Sequence, residues 1–392
     1  MPQSARFARV PPASAPALAV TRQPILDASE RVTAFQLLAE PAEALPQALA
    51  EIGLDRLAGV RPAHIAVTRK LLVAVRPLPF PPERVVLELP ADRPADDLLV
   101  AAAREARRSG FRIALDGFTG ETGPLLALAD AVKVGPDVEA ATVMIARDHG
   151  LEVNATDVHS RAVYARCRKL GCEAFQGRYF AEPVVFTGAA VPTYRLRALA
   201  LLARHDAVSF EQLERVISED PGLALKLVKL ANSAFFGGRH RVGSVRQALM
   251  ALGSVAVRRW ATLLVLAGAT DRPTHLLELG LLRARLCELV AGRTAGAEAE
   301  RAFTAGLFSV VDSLLGVKMA TLLAELPFDE RTARALGEHA GPEGRVLAGV
   351  LAYECGDFDG CARHGVSLVD IARAYAEALD WTDGAVAGLA GR

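Results

Sequence analysis

"ALDGFTGETGPLLALADAVKVG", residues 114–135, is the stretch whose reading decides the fold. The short apolar runs "RIALD" and "AVKVG" end on or beside groups able to do chemistry, Asp116 and Lys133, and a helix-length segment separates them. The stretch therefore reads as strand, helix, strand, with a functional group near each strand's carboxyl end. Runs of the same kind recur on both sides: "ALAVTRQPI", "VTAFQLL", "HIAVT", "RVVLELP", "LEVNA" and "AFQGRYF". Near-continuous apolar strands alternating with amphipathic segments predict a parallel sheet buried on both faces. Seven or eight such units suit a closed barrel better than an open sheet.

Past "PVVFTGAAVPTYR" the period changes to a helical one. Ser209 and Gln212 have capping-box spacing, Asp220 with Pro221 opens "GLALKLVKLANSAF", and Ser244 with Gln247 opens "ALMALG". A chain of 392 residues exceeds one ordinary core. The expected organisation is a mobile tail over 1–17, a barrel domain over 18–188 and an all-α domain over 195–392. Lys and Arg together number 45, as do Asp and Glu, so no global field points to nucleic acid or an anionic membrane. Five scattered cysteines suggest reduced thiols in the cytoplasm. The run "WATLLVLAGA" is about half of what spans a bilayer, so no membrane role is expected.

A barrel presents its functional groups at the carboxyl ends of its strands. That singles out Gln36, Glu88, Asp116, Lys133, Thr156 and Gln176. Their order and setting resemble the EAL family of cyclic di-GMP phosphodiesterases. "RQPILDASERVTAFQLLAE" is similar to that family's opening segment, "VVLELPAD" to its acidic strand, "ALDGFTG" to its paired-aspartate loop, "AVKVG" to its lysine strand and "GCEAFQGRYFAEP" to its closing signature. The resemblance implies hydrolysis by a water that divalent metals activate, which needs several hard oxygen ligands in one place. At the matching positions this chain carries Gln36, Ala66, Ala91, Gly117 and Thr156, and only Glu88, Asp116, Lys133 and Gln176 remain. Glu40 stands where the family has a phosphate-gripping arginine. For Asp116 and Lys133 the favoured reading is a residual ion pair.

The later stretch "FEQLERVISEDPGLALKLVKLANSAFFGGRHRVGSVRQALMALGSVAVRRWATLL" resembles the HDOD domain, a relative of the HD phosphohydrolases. Where those enzymes carry a metal-binding histidine and aspartate, this chain has Ser309 and Val310, with Asp312 nearby. The resemblance thus implies a helical interaction or output module. Leu227, Leu230 and Ala231 should face its core. Phe235, Phe236, Arg239 and Arg241 follow in a glycine-containing loop, where aromatic and arginine side chains suit a partner surface. Lys226, Lys229, Arg239, His240, Arg241, Arg258 and Arg259 could share a basic face, but thin aromatic interleaving argues against nucleic acid. Cys355, Cys361 and His364 match no common zinc spacing.

Together these features predict an α/β EAL-type barrel followed by an all-α HDOD domain. The expected function is a non-catalytic cytoplasmic regulator that contacts unidentified signalling proteins, with no metal or cofactor. The loss of carboxylates argues against cyclic di-GMP as a partner. The alternative is a cyclic di-GMP receptor or weak cyclic di-GMP phosphodiesterase.

Overall fold

The computed structural model describes residues 18–74, 77–91, 95–121, 123–181, 199–200, 209–233, 236, 242–267, 274–315 and 317–389. The expected tail and the expected boundary between 188 and 195 lie outside these residues. The strands are β1 (Ala19–Asp27), β2 (Val32–Glu40), β3 (Ala63–Ala66), β4 (Val85–Pro90), β5 (Arg112–Asp116), β6 (Ala131–Val134), β7 (Glu152–Ala155) and β8 (Ala174–Phe175). They close into a barrel in sequential order. The expectation of a wholly parallel sheet fails at one strand, because β1 runs antiparallel to both β2 and β8. A four-residue turn at Ala28–Arg31 connects β1 to β2 and leaves no room for a crossover helix, so the chain must reverse. The helix expected between β5 and β6 is likewise absent from the described residues there, and only a short 3₁₀ turn at Leu126–Leu128 occupies the connection.

The interior is layered by the two-residue period of a strand. Val86, Ala114 and Ala131 form one small buried cluster, and Ile25, Ala34 and Ala174 form another. Two residues further along the parallel strands come Glu88, Asp116 and Lys133, and beyond the second cluster come Gln36 and Gln176. On the reversed strand β1 the step runs the other way, so Gln23 rather than a residue after Ile25 joins the polar layer. A polar tier therefore rests on an apolar one at the mouth of the barrel.

Beyond residue 208 every described element is helical. Ser209 and Gln212 make the reciprocal capping box, Asp220 caps Gly222 and Leu223 with Pro221 at the first helical position, and Ser244 accepts from the Gln247 amide. Leu227, Leu230 and Ala231 are buried as their spacing requires. The helices Gly341–Glu354 and Leu368–Leu389 reach back to the first strand. The Tyr353 hydroxyl accepts from the Val20 amide at 3.2 Å and donates to the Val20 carbonyl at 2.7 Å. The Tyr375 hydroxyl accepts from the Arg22 amide at 3.2 Å. Both tyrosines are buried, and one apolar core continues from the barrel strands into these helices. Among the described residues no single helix is long and apolar enough to cross a membrane.

Candidate functional site

Glu88 is the centre of the polar tier. It ends the inward face of β4, is 1% exposed, and divides its bonds among three neighbours. Its Oε1 accepts from Lys133 Nζ at 2.8 Å and lies 3.1 Å from His64 Nδ1, while Oε2 accepts from Gln36 Nε2 at 2.7 Å. Burial alone would raise the carboxyl's pKa. The bond to His64, followed by the Lys133 charge, outweighs that penalty and holds it below the usual carboxylate range.

The expected pair of Asp116 with Lys133 is therefore not the one that forms. The two are register neighbours, yet the Lys133 ammonium reaches past β5 to Glu88 on β4. Asp116 stands at the exposed rim. Desolvation pushes its carboxyl up; Lys133 opposes the rise and the charge on Glu88 adds to it. Gly117 follows with φ +75°, a left-handed conformation that glycine adopts without strain.

Gln176, 5% exposed, is the hub on the other side. Its Nε2 donates to Gln23 Oε1 at 2.7 Å and also to Gln36 Oε1. Its own Oε1 is buried without a hydrogen-bond partner, as is Oδ1 of Asn154, which lies beside Lys133 in the register. Gly177 fixes the hub: at φ +152° a Cβ there would fall 2.2 Å from the Val158 carbonyl oxygen. Thr156, singled out by its strand end, instead donates to the Val134 carbonyl at 3.2 Å.

Three residues of this tier, Gln23, His64 and Asn154, are absent from the strand-end set. His64 was accessible as the register neighbour of Gln36, two residues before the end of β3. Asn154 likewise precedes Thr156 by two. Gln23 was hidden by the reversal of β1.

The divalent metals that the EAL resemblance implies do not fit these residues. Both oxygens of Glu88 are already engaged, Ala66, Ala91 and Gly117 supply no side-chain donor, and the described residues contain no group of three or more His, Cys, Asp or Glu able to hold a metal ion. Cys361 is likewise no zinc ligand candidate, since it is fully buried with its Sγ on the Gly349 carbonyl.

In the helical half the place of the HD metal ligands is filled by a guanidinium. Arg283 donates to Glu354 through Nε and Nη2, the latter at 2.7 Å, and through Nη1 to Ser309 Oγ at 2.7 Å. Asp312 stands nearby, its carboxyl pushed up by desolvation. The expected interaction loop is only partly described: Phe235, Arg239 and Arg241 lie outside the described residues. Phe236 packs edge-to-face on Trp260, with ring centroids 5.6 Å apart, so its ring belongs to the helical core rather than standing free for a partner. Arg258 pairs with Glu300, and Arg259 pairs with Glu288 at 2.7 Å while lying over Phe303. These two do not join a shared basic face.

Residues 189–339 match the family model of the HDOD domain. The helical half carries an HDOD domain. It follows the closed barrel, in the order that the sequence motifs implied. The helices that hold β1 through Tyr353 and Tyr375 lie beyond the HDOD match. Over nearly the whole chain, two proteins are similar. YuxH of Bacillus subtilis (strain 168) is 26% identical across 92% of this chain and 97% of its own length. CdgJ of Vibrio cholerae serotype O1, named a cyclic di-GMP phosphodiesterase, is 29% identical across 93% of this chain and 92% of its own length. Among solved structures, the EAL domain of Mycobacterium smegmatis DcpA is 18% identical, with a TM-score of 0.35, covering 41% of this chain and 90% of that one.

CdgJ overturns two expectations, that the chain is no enzyme and that cyclic di-GMP is not its partner. Both rested on counting lost carboxylates at motif positions. That count left out His64, Asn154 and Gln23, which also build the mouth, and so could not exclude a ligand.

Proposed function

We propose that this chain is a cyclic di-GMP signalling protein whose barrel mouth binds the dinucleotide and hydrolyses it slowly, and whose HDOD domain passes the state of that site to protein partners. The observation that carries this reading is the alignment of CdgJ along 93% of the chain, barrel and HDOD domain together. The chemistry of the mouth supports it. Lys133 is a buried cation that an entering phosphodiester can recruit, because Glu88 keeps two other partners, Gln36 and His64, when the ammonium turns away. The two unpartnered amide oxygens, of Asn154 and Gln176, suit the N–H edges of a base. Asp116, with its carboxyl pushed upward at the rim, is the group suited to exchange a proton with attacking water or departing sugar oxygen. Turnover is slow on this reading because one ammonium and one titratable carboxyl do the work of a larger acidic set.

The test is calorimetric titration of the full chain with cyclic di-GMP, paired with chromatographic detection of the linear dinucleotide. Saturable binding with slow product release, both lost in Lys133→Met, is the expected result. No heat of binding and no product at any protein concentration would overturn the proposal.

A further inference from the structure

The mouth of the barrel and Arg283 in the helical half are joined by a line of hydrogen bonds that passes from main chain to side chain at Glu354. From Glu88 it runs to Gln36, which donates at 2.7 Å, and on to Gln176, which donates to Gln36. Gln176 donates also to Gln23 at 2.7 Å. Gln23 then donates through Nε2 to the main-chain carbonyl of Glu354 at 3.4 Å, the longest link. The Glu354 carboxylate takes its bonds from Arg283, which reaches Ser309. Gln23 and Glu354 are 331 residues apart in sequence, so the line joins the two halves of the molecule.

We infer that Gln23 is the coupling residue through which occupancy of the barrel mouth is communicated to the Arg283–Glu354 centre, where the HDOD match meets the helix that follows it. The inference rests on the ligand-binding role proposed for the mouth. Its physical basis is the hydrogen count of one amide. Gln176 has two N–H bonds on Nε2 and both are used, one toward Gln36 and one toward Gln23. A phosphate oxygen offers only acceptors, so a ligand that draws either N–H must release one neighbour. Gln36 still has Glu88 as a partner when released. Gln23, its Oε1 unpaired in a half-buried place, reorients, and its donation to Glu354 goes with it. The helix Gly341–Glu354 then loses its polar tie to the mouth at the very residue that holds Arg283. Conversely, a shift of Glu354 is felt by Gln23 and Gln176, since coupling between two sites acts equally in both directions.

The two tryptophans, Trp260 and Trp381, both lie in the helical half, with ring centroids 6.0 Å apart, so their emission reports on that half. Addition of cyclic di-GMP to the full chain should change this emission in the wild type. It should leave the emission unchanged in Gln23→Met and Gln23→Glu at ligand concentrations that calorimetry shows to saturate each variant. An emission change that persists in both folded variants, or is missing from a wild type that binds, overturns the relay. If the wild type shows no binding, it is the proposed function that falls, and the relay is judged without ligand. Glu88→Gln should then alter amide hydrogen exchange across residues 341–354, and the double variant with Gln23→Met should not add to Gln23→Met alone. Identical exchange in wild type and Glu88→Gln would overturn it.

Discussion

Lys133–Glu88 in the barrel and Arg283–Glu354 in the helical half are both nearly dry ion pairs, with side chains 3% and 1% exposed in the first and 4% and 11% in the second. Burial does not separate them. The distribution of hydrogen bonds does. Glu88 spreads its bonds over an ammonium, an imidazole and an amide, so its cation can leave without orphaning it. The Glu354 carboxylate is gripped by a single guanidinium through two nitrogens, and that guanidinium also holds Ser309. A lysine can rotate away from its partner as a point charge, whereas a forked guanidinium must release several bonds together. The first pair is built to be opened and the second to stay shut.

Substitutions can break this contrast. Arg283→Met should have the largest effect, about 4 kcal/mol of lost stability in denaturant unfolding, because it strands a buried carboxylate. Lys133→Met should cost less, about 2–3 kcal/mol, since Gln36 and His64 remain on Glu88. Equal losses would erase the distinction between an exchangeable and a committed pair. Tyr353→Phe should cost about 2 kcal/mol by leaving the buried Val20 amide and carbonyl unpaired, without altering affinity for cyclic di-GMP.

Proton linkage sharpens the barrel side. Glu88 has its pKa lowered in the folded state, so its contribution is present above the ordinary value of 4.5 and is lost as pH falls through the folded value. Stability measured below pH 4.5 should therefore decline less steeply in Glu88→Gln than in the wild type. Asp116 has the opposite sign. Its raised pKa favours the fold below the ordinary 3.8 and opposes it as pH rises through the folded value. Asp116→Asn should thus add only a few tenths of a kcal/mol at neutral pH, because solvent at the rim screens the charge.

Much of the barrel was legible because its inward residues obey a two-residue period that survives in the bare sequence, as Val86 with Glu88 and Ala131 with Lys133 illustrate. Strand direction was not, since the run "ALAVTRQPI" has the composition of its parallel neighbours and only the length of the following turn reveals a reversal. That one error concealed Gln23: the carboxyl-end rule applied to β1 points to Asp27, at the opposite rim. The pairing of Lys133 was misjudged for a related reason. Register places Asp116 beside it, but a four-carbon stem reaches past that strand to the more deeply buried acid on the next. Contacts such as Tyr353 with Val20 were beyond reach, because no local pattern encodes a partner 333 residues away.

The clasp of Tyr353 on Val20 also sets a timetable for synthesis. Strands β1 to β8 are complete once residue 175 has emerged, yet the main-chain groups of Val20 meet their phenol only 333 residues after they are made. At ordinary elongation speeds that is a wait of roughly 20–70 seconds. Throughout it, one flank of the first strand carries an amide and a carbonyl awaiting a partner, the kind of edge to which another chain's strand can add. A chain halted before residue 353 would leave Val20 without its phenol, and a pulse-labelled nascent chain of that length is where self-association is expected to begin.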